Sequence, residues 1–361
     1  MLAASPKASE QTGKVQEAIE KCRDAVARKP DNEEAWFLLG VLLQETGELE
    51  DAQAAFEMST KLDPTREAGW LNLGLLAERR KETPSALQAY MAALQANPSS
   101  ASAYVRLGTL MESASKNDAA QAAYEKAISL EATDISGHVA LCKLLLRLDR
   151  PDGARQAAER ATASLPQAAV AHAQLGAALV QLTRPREAEK ALRRAVELDP
   201  ALSDAYNSLG IALKAQGKYA DSEKAYKTAV QLAPDSPEPL YNLGIFYREQ
   251  GALKDAKTTL EKALGMDPTN MDIRLVLAAL EGGAANVELP PKYVESVFDS
   301  VAETYDDTIL PAIAYNVPNE LVTAVTKSMA FDCGCASGQL PANEWAVLGT
   351  KKKTCCLLAQ K

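Results

Sequence analysis

Aromatic residues make up only 5% of the 361-residue chain. That is too few for a β-rich fold or for a sugar-binding surface of stacked rings. Histidine is scarcer still, with His138 and His172 alone. With no third histidine in the chain, a histidine-based metal site or catalytic triad is not expected. The sequence has no apolar run long enough to cross a bilayer, so no membrane-spanning helix is expected. Positive charge is in deficit. There are 39 Lys and Arg against 48 Asp and Glu, a formal net charge of −9, which argues against nucleic acid and anionic membranes as main partners. The stretch MLAASPKASEQTGK lacks the apolar core of a secretory leader. The six cysteines form no disulfide framework, since Cys333, Cys335, Cys355 and Cys356 all crowd toward the C-terminus. A cytoplasmic location is the simplest expectation.

What the chain has is a period. Trp36, Leu39, Gly40, Ala52, Phe56 and Pro64 return, one period on, as Trp70, Leu73, Gly74, Ala86, Tyr90 and Pro98. Pro30, Pro64, Pro98, Pro166, Pro200, Pro234 and Pro268 keep the same step, and Ala132 alone interrupts it. Within one period Trp36, Leu39, Gly40 and Leu43 lie on one helical face, and Ala52, Phe56 and Ser59 lie on another. Gly40 is small enough for the second helix to approach closely. Gly47 lets the chain turn between the two helices, and Pro64 ends the second. Such pairs bury their apolar faces only by stacking. Trp36, Trp70, Tyr206 and Tyr226 recur at packing positions and are expected to be buried. His138 and His172 share one of those positions and read as packing residues too.

This pattern resembles the tetratricopeptide repeat (TPR), and the resemblance implies an all-α fold, a right-handed superhelical α-solenoid. Residues 1–32 read as an N-terminal half-repeat, a second helix whose first is replaced by a polar stretch containing Pro6. That missing helix is either frayed or part of a longer array. Residues 33–282 read as about seven full repeats plus an end helix near 270–281, stopped by Gly282 and Gly283. The fifth repeat diverges most, with Cys142 where glycine belongs. In TPR proteins the first helices line a concave groove for a peptide or protein partner. The matching positions are Phe37, Val41, Leu71, Leu75, Val105, Val139, Ala173, Ala177, Asn207, Ile211, Tyr241 and Ile245. They are mostly apolar, and the Lys/Asn set of carboxylate-clamp repeats is missing.

After Gly283 the composition changes. Residues 283–290 read as a linker. Val294, Val297, Phe298, Val301 and Tyr305 then make one apolar helical face, a second amphipathic segment follows from Pro318, and FDCGCASG comes after it. This succession resembles the start of a class I S-adenosylmethionine-dependent methyltransferase fused to a TPR array. The resemblance covers 291–338 and implies a cofactor-binding remnant at Asp332, Gly334, Cys335 and Gly338. Ala336 departs from the family's glycine, and only Gln339 to Lys361 follow Gly338. The remaining βα units of that fold do not fit in that stretch. The tail 339–361 is expected to be disordered. Cys333, Cys335, Cys355 and Cys356 are too closely spaced in their pairs for a structural zinc site. The expected function is a protein–protein interaction scaffold, with no cofactor and no methyl transfer by this chain as it stands. The alternative is a TPR-fused methyltransferase whose domain, and S-adenosylmethionine with it, is completed in a longer form.

Overall fold

The computed structural model describes residues 6–280, with side chains from Gly13 onward. Its described residues form sixteen helices and no strand. The chain divides into two compact units, residues 1–216 and 217–361. The first unit holds α1 (Pro6–Arg28), α2 (Glu33–Thr46), α3 (Leu49–Leu62), α4 (Glu67–Arg79), α5 (Thr83–Ala96), α6 (Ala101–Ser113), α7 (Asn117–Leu130), α8 (Ile135–Arg147), α9 (Pro151–Ser164), α10 (Ala169–Gln181), α11 (Pro185–Leu198) and α12 (Ser203–Ala215). The second holds α13 (Tyr219–Leu232), α14 (Pro237–Glu249), α15 (Leu253–Met266) and α16 (Met271–Leu280).

From α2 onward the even-numbered helices lead each repeat and the odd-numbered ones trail. Five leading glycines face a large side chain on the helix that follows. A methyl group built on Gly40 would sit 2.7 Å from the Phe56 ring, and Gly74, Gly108, Gly176 and Gly244 meet Tyr90, Tyr124, Leu192 and Leu260 in the same way. The glycine brings two helices together, and the large residue fills the space this opens. Phe56, Tyr90, Tyr124, Leu192 and Leu260 are fully buried.

The turn inside each pair is equally periodic. Gly47, Gly217 and Gly251 have φ of 85°, 74° and 76°, and Lys81, Ser115, Asp149 and Thr183 hold the same left-handed conformation at 61°, 58°, 53° and 53°. All seven stand at successive steps of the repeat. The glycine read as a turn former in the sequence is thus one of three, and four L residues carry the strain of that conformation.

Repeats are joined by side-chain bonds that reach back to the preceding turn. The Trp36 and Trp70 indoles donate from Nε1 to the carbonyls of Pro30 and Pro64, both at 2.9 Å. His138 and His172 place Nε2 at 3.1 and 3.0 Å from the carbonyls of Ala132 and Pro166. Each of the four reaches back to the same place in the preceding turn, so the histidines take the part of the tryptophans. The bond needs only a backbone carbonyl, which accommodates Ala132 in the proline series. Trp36, Trp70 and Tyr206 are half-buried and only Tyr226 is fully buried, so the expectation of burial holds for one of the four. The two indoles lie where one repeat hands over to the next and must reach out to that carbonyl. Carboxylates reinforce the joints: Glu33 takes Ser59 Oγ at 2.6 Å and pairs with Arg66, and Glu67, one repeat on, takes Asn97 and Ser100.

The N-terminal segment differs from expectation. α1 is one helix of 23 residues, with Pro6 at its first position. Proline is tolerated there because the first helical N–H groups have no intrahelical partner. The polar stretch therefore extends the trailing-type helix and is not a frayed leading one. α16 ends at Leu280, close to the expected boundary, and Gly282 and Gly283 lie outside the described residues.

Candidate partner-binding face

Each leading helix carries a stripe at i, i+4 on the face matched to the TPR groove. In the first unit the stripe is Phe37–Val41 on α2, Leu71–Leu75 on α4, Val105–Thr109 on α6, Val139–Lys143 on α8, Ala173–Ala177 on α10 and Asn207–Ile211 on α12. In the second unit it is Tyr241–Ile245 on α14. Phe37, Val41, Leu71, Leu75, Val105, Val139, Ile211, Tyr241 and Ile245 are all half-buried, and Asn207 is buried. Successive leading helices α6, α8, α10 and α12 touch one another, which brings Val105, Val139, Ala173 and Ile211 onto adjacent elements.

Half-burial means that these side chains serve the core as well as the surface. Phe37 and Val41 pack on the cluster built around Phe56, Leu39 and Leu43. Val105 packs on the cluster around Tyr124 and Leu141, and Leu71 on that around Tyr90. Tyr241 and Ile245 lean on Leu240, Leu260 and Ile273. Burial raises the Tyr241 phenol above its ordinary pKa, and Asp272 adds to the shift. Phe37 is further covered by the Arg66 guanidinium, 4.3 Å from its ring centroid. Asn207 has an interaction partner and is not a free polar group.

Charge enters this face sparsely. Lys143 is exposed in the stripe of α8. Arg147, one turn on, is held by Glu112 at 3.2 Å and by Asn117 at 3.2 Å. Sequence reading did not anticipate the Arg66–Phe37 contact. No local signal gives it: Arg66 is placed by its pairing with Glu33, one repeat less a single position away.

No group of three or more His, Cys, Asp and Glu able to hold a metal ion occurs among the described residues. Neither does a helix long and apolar enough to cross a membrane. Burial pushes the Cys142 thiol up to about 12, which leaves it an unreactive packing group. Asp332, Gly334, Cys335 and Gly338, the cofactor-binding remnant, lie outside the described residues, as does the whole segment 291–338.

Comparison with known proteins agrees with the repeat geometry. Residues 92–288, more than half of the chain, match the cilia and flagella-associated protein 70 C-terminal domain, and residues 11–78 match the tetratricopeptide repeat. No curated protein matches the chain. Among solved structures, a tetratricopeptide repeat protein from Parabacteroides merdae aligns with a TM-score of 0.56 at 15% identity, over 69% of this chain and 98% of that one. Yeast Tom70 aligns with a TM-score of 0.56 at 16% identity, over 81% of this chain and 64% of that one. A chain of the APC/C hetero-tetramer Cut9-Hcn1 gives 0.56 at 15% identity, over 74% of this chain and 52% of that one. At such identities the likeness is one of fold. The methyltransferase resemblance gains no support here, since 291–338 lies beyond both family matches.

Proposed function

This chain belongs to the family of the cilia and flagella-associated protein 70 C-terminal domain, a tetratricopeptide-repeat family, and from that premise we propose that it is a scaffold that holds a peptide or protein partner on the stripe of its leading helices. The observation that carries this reading is the set of half-exposed apolar residues at matching positions on the leading helices α4, α6, α8 and α12 of the first unit. Leu71, Leu75, Val105, Val139 and Ile211 each keep part of their apolar surface open to solvent. A partner laid across them gains the burial of that surface at about 25 cal/mol per Å² before the costs of association. The face is formed by packed helices, so little rearrangement on binding is expected. The family name directs the search for a partner to cilia and flagella.

The test is substitution of Leu75 and Ile211 by glutamate, singly and together. Both are half-exposed, so helicity should survive. Capture of ciliary proteins by the double variant should fall at least tenfold, with an unchanged far-ultraviolet circular dichroism spectrum. Undiminished capture would remove the leading-helix face from consideration.

A further inference from the structure

Two faces of this molecule have the form of half a repeat. α1 is a trailing-type helix: Ala18, Cys22, Ala25 and Pro30 stand in the register of Ala52, Phe56, Ser59 and Pro64. On the adjoining side Ile19 and Val26 are buried in the cluster shared with α2 and α3, and Cys22 and Ala25 pack on the edge of that cluster. The stripe of Ala18, Cys22 and Ala25 is half-exposed. In every other trailing helix the same three positions are closed. From Ala52, Phe56 and Ser59 to Ala256, Leu260 and Ala263, none is more than 2% exposed.

α16 is the converse. It begins at Met271, one full period after α14 begins at Pro237, and so is a leading helix. Ala278 holds the place of Gly40, Gly74, Gly108, Cys142, Gly176, Gly210 and Gly244. Those seven are buried, and Ala278 is half-exposed. Among the described residues α1 has no leading helix on its open stripe, and α16 has no trailing helix.

We propose that these faces meet between copies of this chain, α16 of one copy packing on α1 of the next to complete a repeat. Side-chain size supports the match. Where the trailing position is Phe, Tyr or Leu, the leading one is glycine. The fifth repeat has Cys142 over Ala158 instead, both fully buried in one cluster. Ala278 over Cys22 brings together the same two residue types in reversed order, so their combined volume is one that the fold already accommodates. A glycine at 278 would leave a void against Cys22, and a phenylalanine at 22 would collide with Ala278. The contact is heterologous, with different surfaces on the two partners. Repetition therefore gives a ring or an open filament.

The experiment joins the two positions chemically. Ala278→Cys is made in the full chain with Cys333, Cys335, Cys355 and Cys356 changed to serine, and the protein is oxidised with diamide. The expected result is a ladder of disulfide-linked dimers, trimers and higher species that vanishes when Cys22→Ser is added. Linkage that survives Cys22→Ser joins 278 to 278 or to Cys142 and overturns the head-to-tail arrangement. Absence of linkage overturns it too, and means that another segment or protein covers one of the faces. Sedimentation supplies a second reading without cysteine chemistry. Ala18→Arg and Ala278→Arg chains should each be monomeric where the unaltered chain associates, and their mixture should form one-to-one dimers. A mixture that stays monomeric, or an unaltered chain that stays monomeric at high micromolar concentration, sinks the proposal.

Discussion

Cys142 and Ala158 reverse the size relation that the neighbouring repeats keep at the same two positions. Elsewhere the leading residue is glycine and the trailing one is large, as in Gly108 against Tyr124 and Gly176 against Leu192. Here the larger of the two is on the leading helix, and its Sγ lies 3.7 Å from the Ala154 carbonyl. The pair should therefore show strong coupling. Cys142→Gly opens a void and Ala158→Leu overfills the site, each at a cost of about 1–3 kcal/mol. The double change restores the commoner pairing and should cost less than the sum of the two by more than about 1 kcal/mol. Urea denaturation of the four proteins measures this; additive losses would show that the two side chains do not share one space.

The left-handed turns give a second prediction. Thr183 at φ 53° is a β-branched residue in a conformation that L side chains avoid. Glycine takes it freely, as at Gly47, Gly217 and Gly251. Thr183→Gly should stabilise the chain by about 1 kcal/mol. Gly47→Ala, the converse, should destabilise it by a similar amount. A fall in the urea midpoint for Thr183→Gly would show that contacts of the threonine outweigh the strain.

These turns also mark where sequence reading stopped. The repeat period, the two helices per repeat and the Gly–aromatic contact were legible because each depends on residue type at fixed spacing. Lys81 and Thr183 are not turn residues by type; their conformation follows from the flanking helices. The partner face was legible as positions but not as exposure. Phe37 holds such a position, yet Arg66 covers its ring. Nothing in the local sequence of either announces a contact between a leading helix and the N-cap of the next one. The two half-repeats were half legible: α1 had the register of a trailing helix, but its length depends on residues that carry no repeat signal.

The Trp70 contact predicts an order of stabilities. The indole is half-buried, and its Nε1 donates to Pro64. Trp70→Ala removes both the burial and the bond and should cost about 2–4 kcal/mol, toward the low end of aromatic truncations because burial is incomplete. Trp70→Phe keeps most of the burial and should cost about 1 kcal/mol for the lost bond. Trp70→His should fall between them, since His172 makes the same bond at 3.0 Å from the same place in its own repeat. Denaturant midpoints rank the three; an alanine variant as stable as the phenylalanine one would dismiss the joint as a source of stability.

Buried tyrosines set the alkaline limit. Burial raises the phenols of Tyr90, Tyr124 and Tyr226 above the ordinary value, that of Tyr124 to about 12. A folded-state pKa above the unfolded one means that the folded chain holds its proton more tightly. The stability this contributes is complete below the ordinary tyrosine pKa of about 10 and is lost as pH rises from there toward the folded value. Loss of helical signal and appearance of tyrosinate absorbance should therefore coincide in that window. Tyr124 donates its hydroxyl proton to Glu112 at 2.8 Å, so removing that hydroxyl would also break a bond. Tyr90 is the cleaner probe. The Glu78 carboxylate lies near it and opposes a tyrosinate, but the buried hydroxyl meets no hydrogen-bond partner in bonding geometry. Tyr90→Phe should raise stability at neutral pH by about 1 kcal/mol, because an unsatisfied buried polar group is removed. It should also make the loss at alkaline pH shallower, because one proton fewer is released on unfolding. An unchanged alkaline slope would mean that Tyr90 ionises without the helices opening.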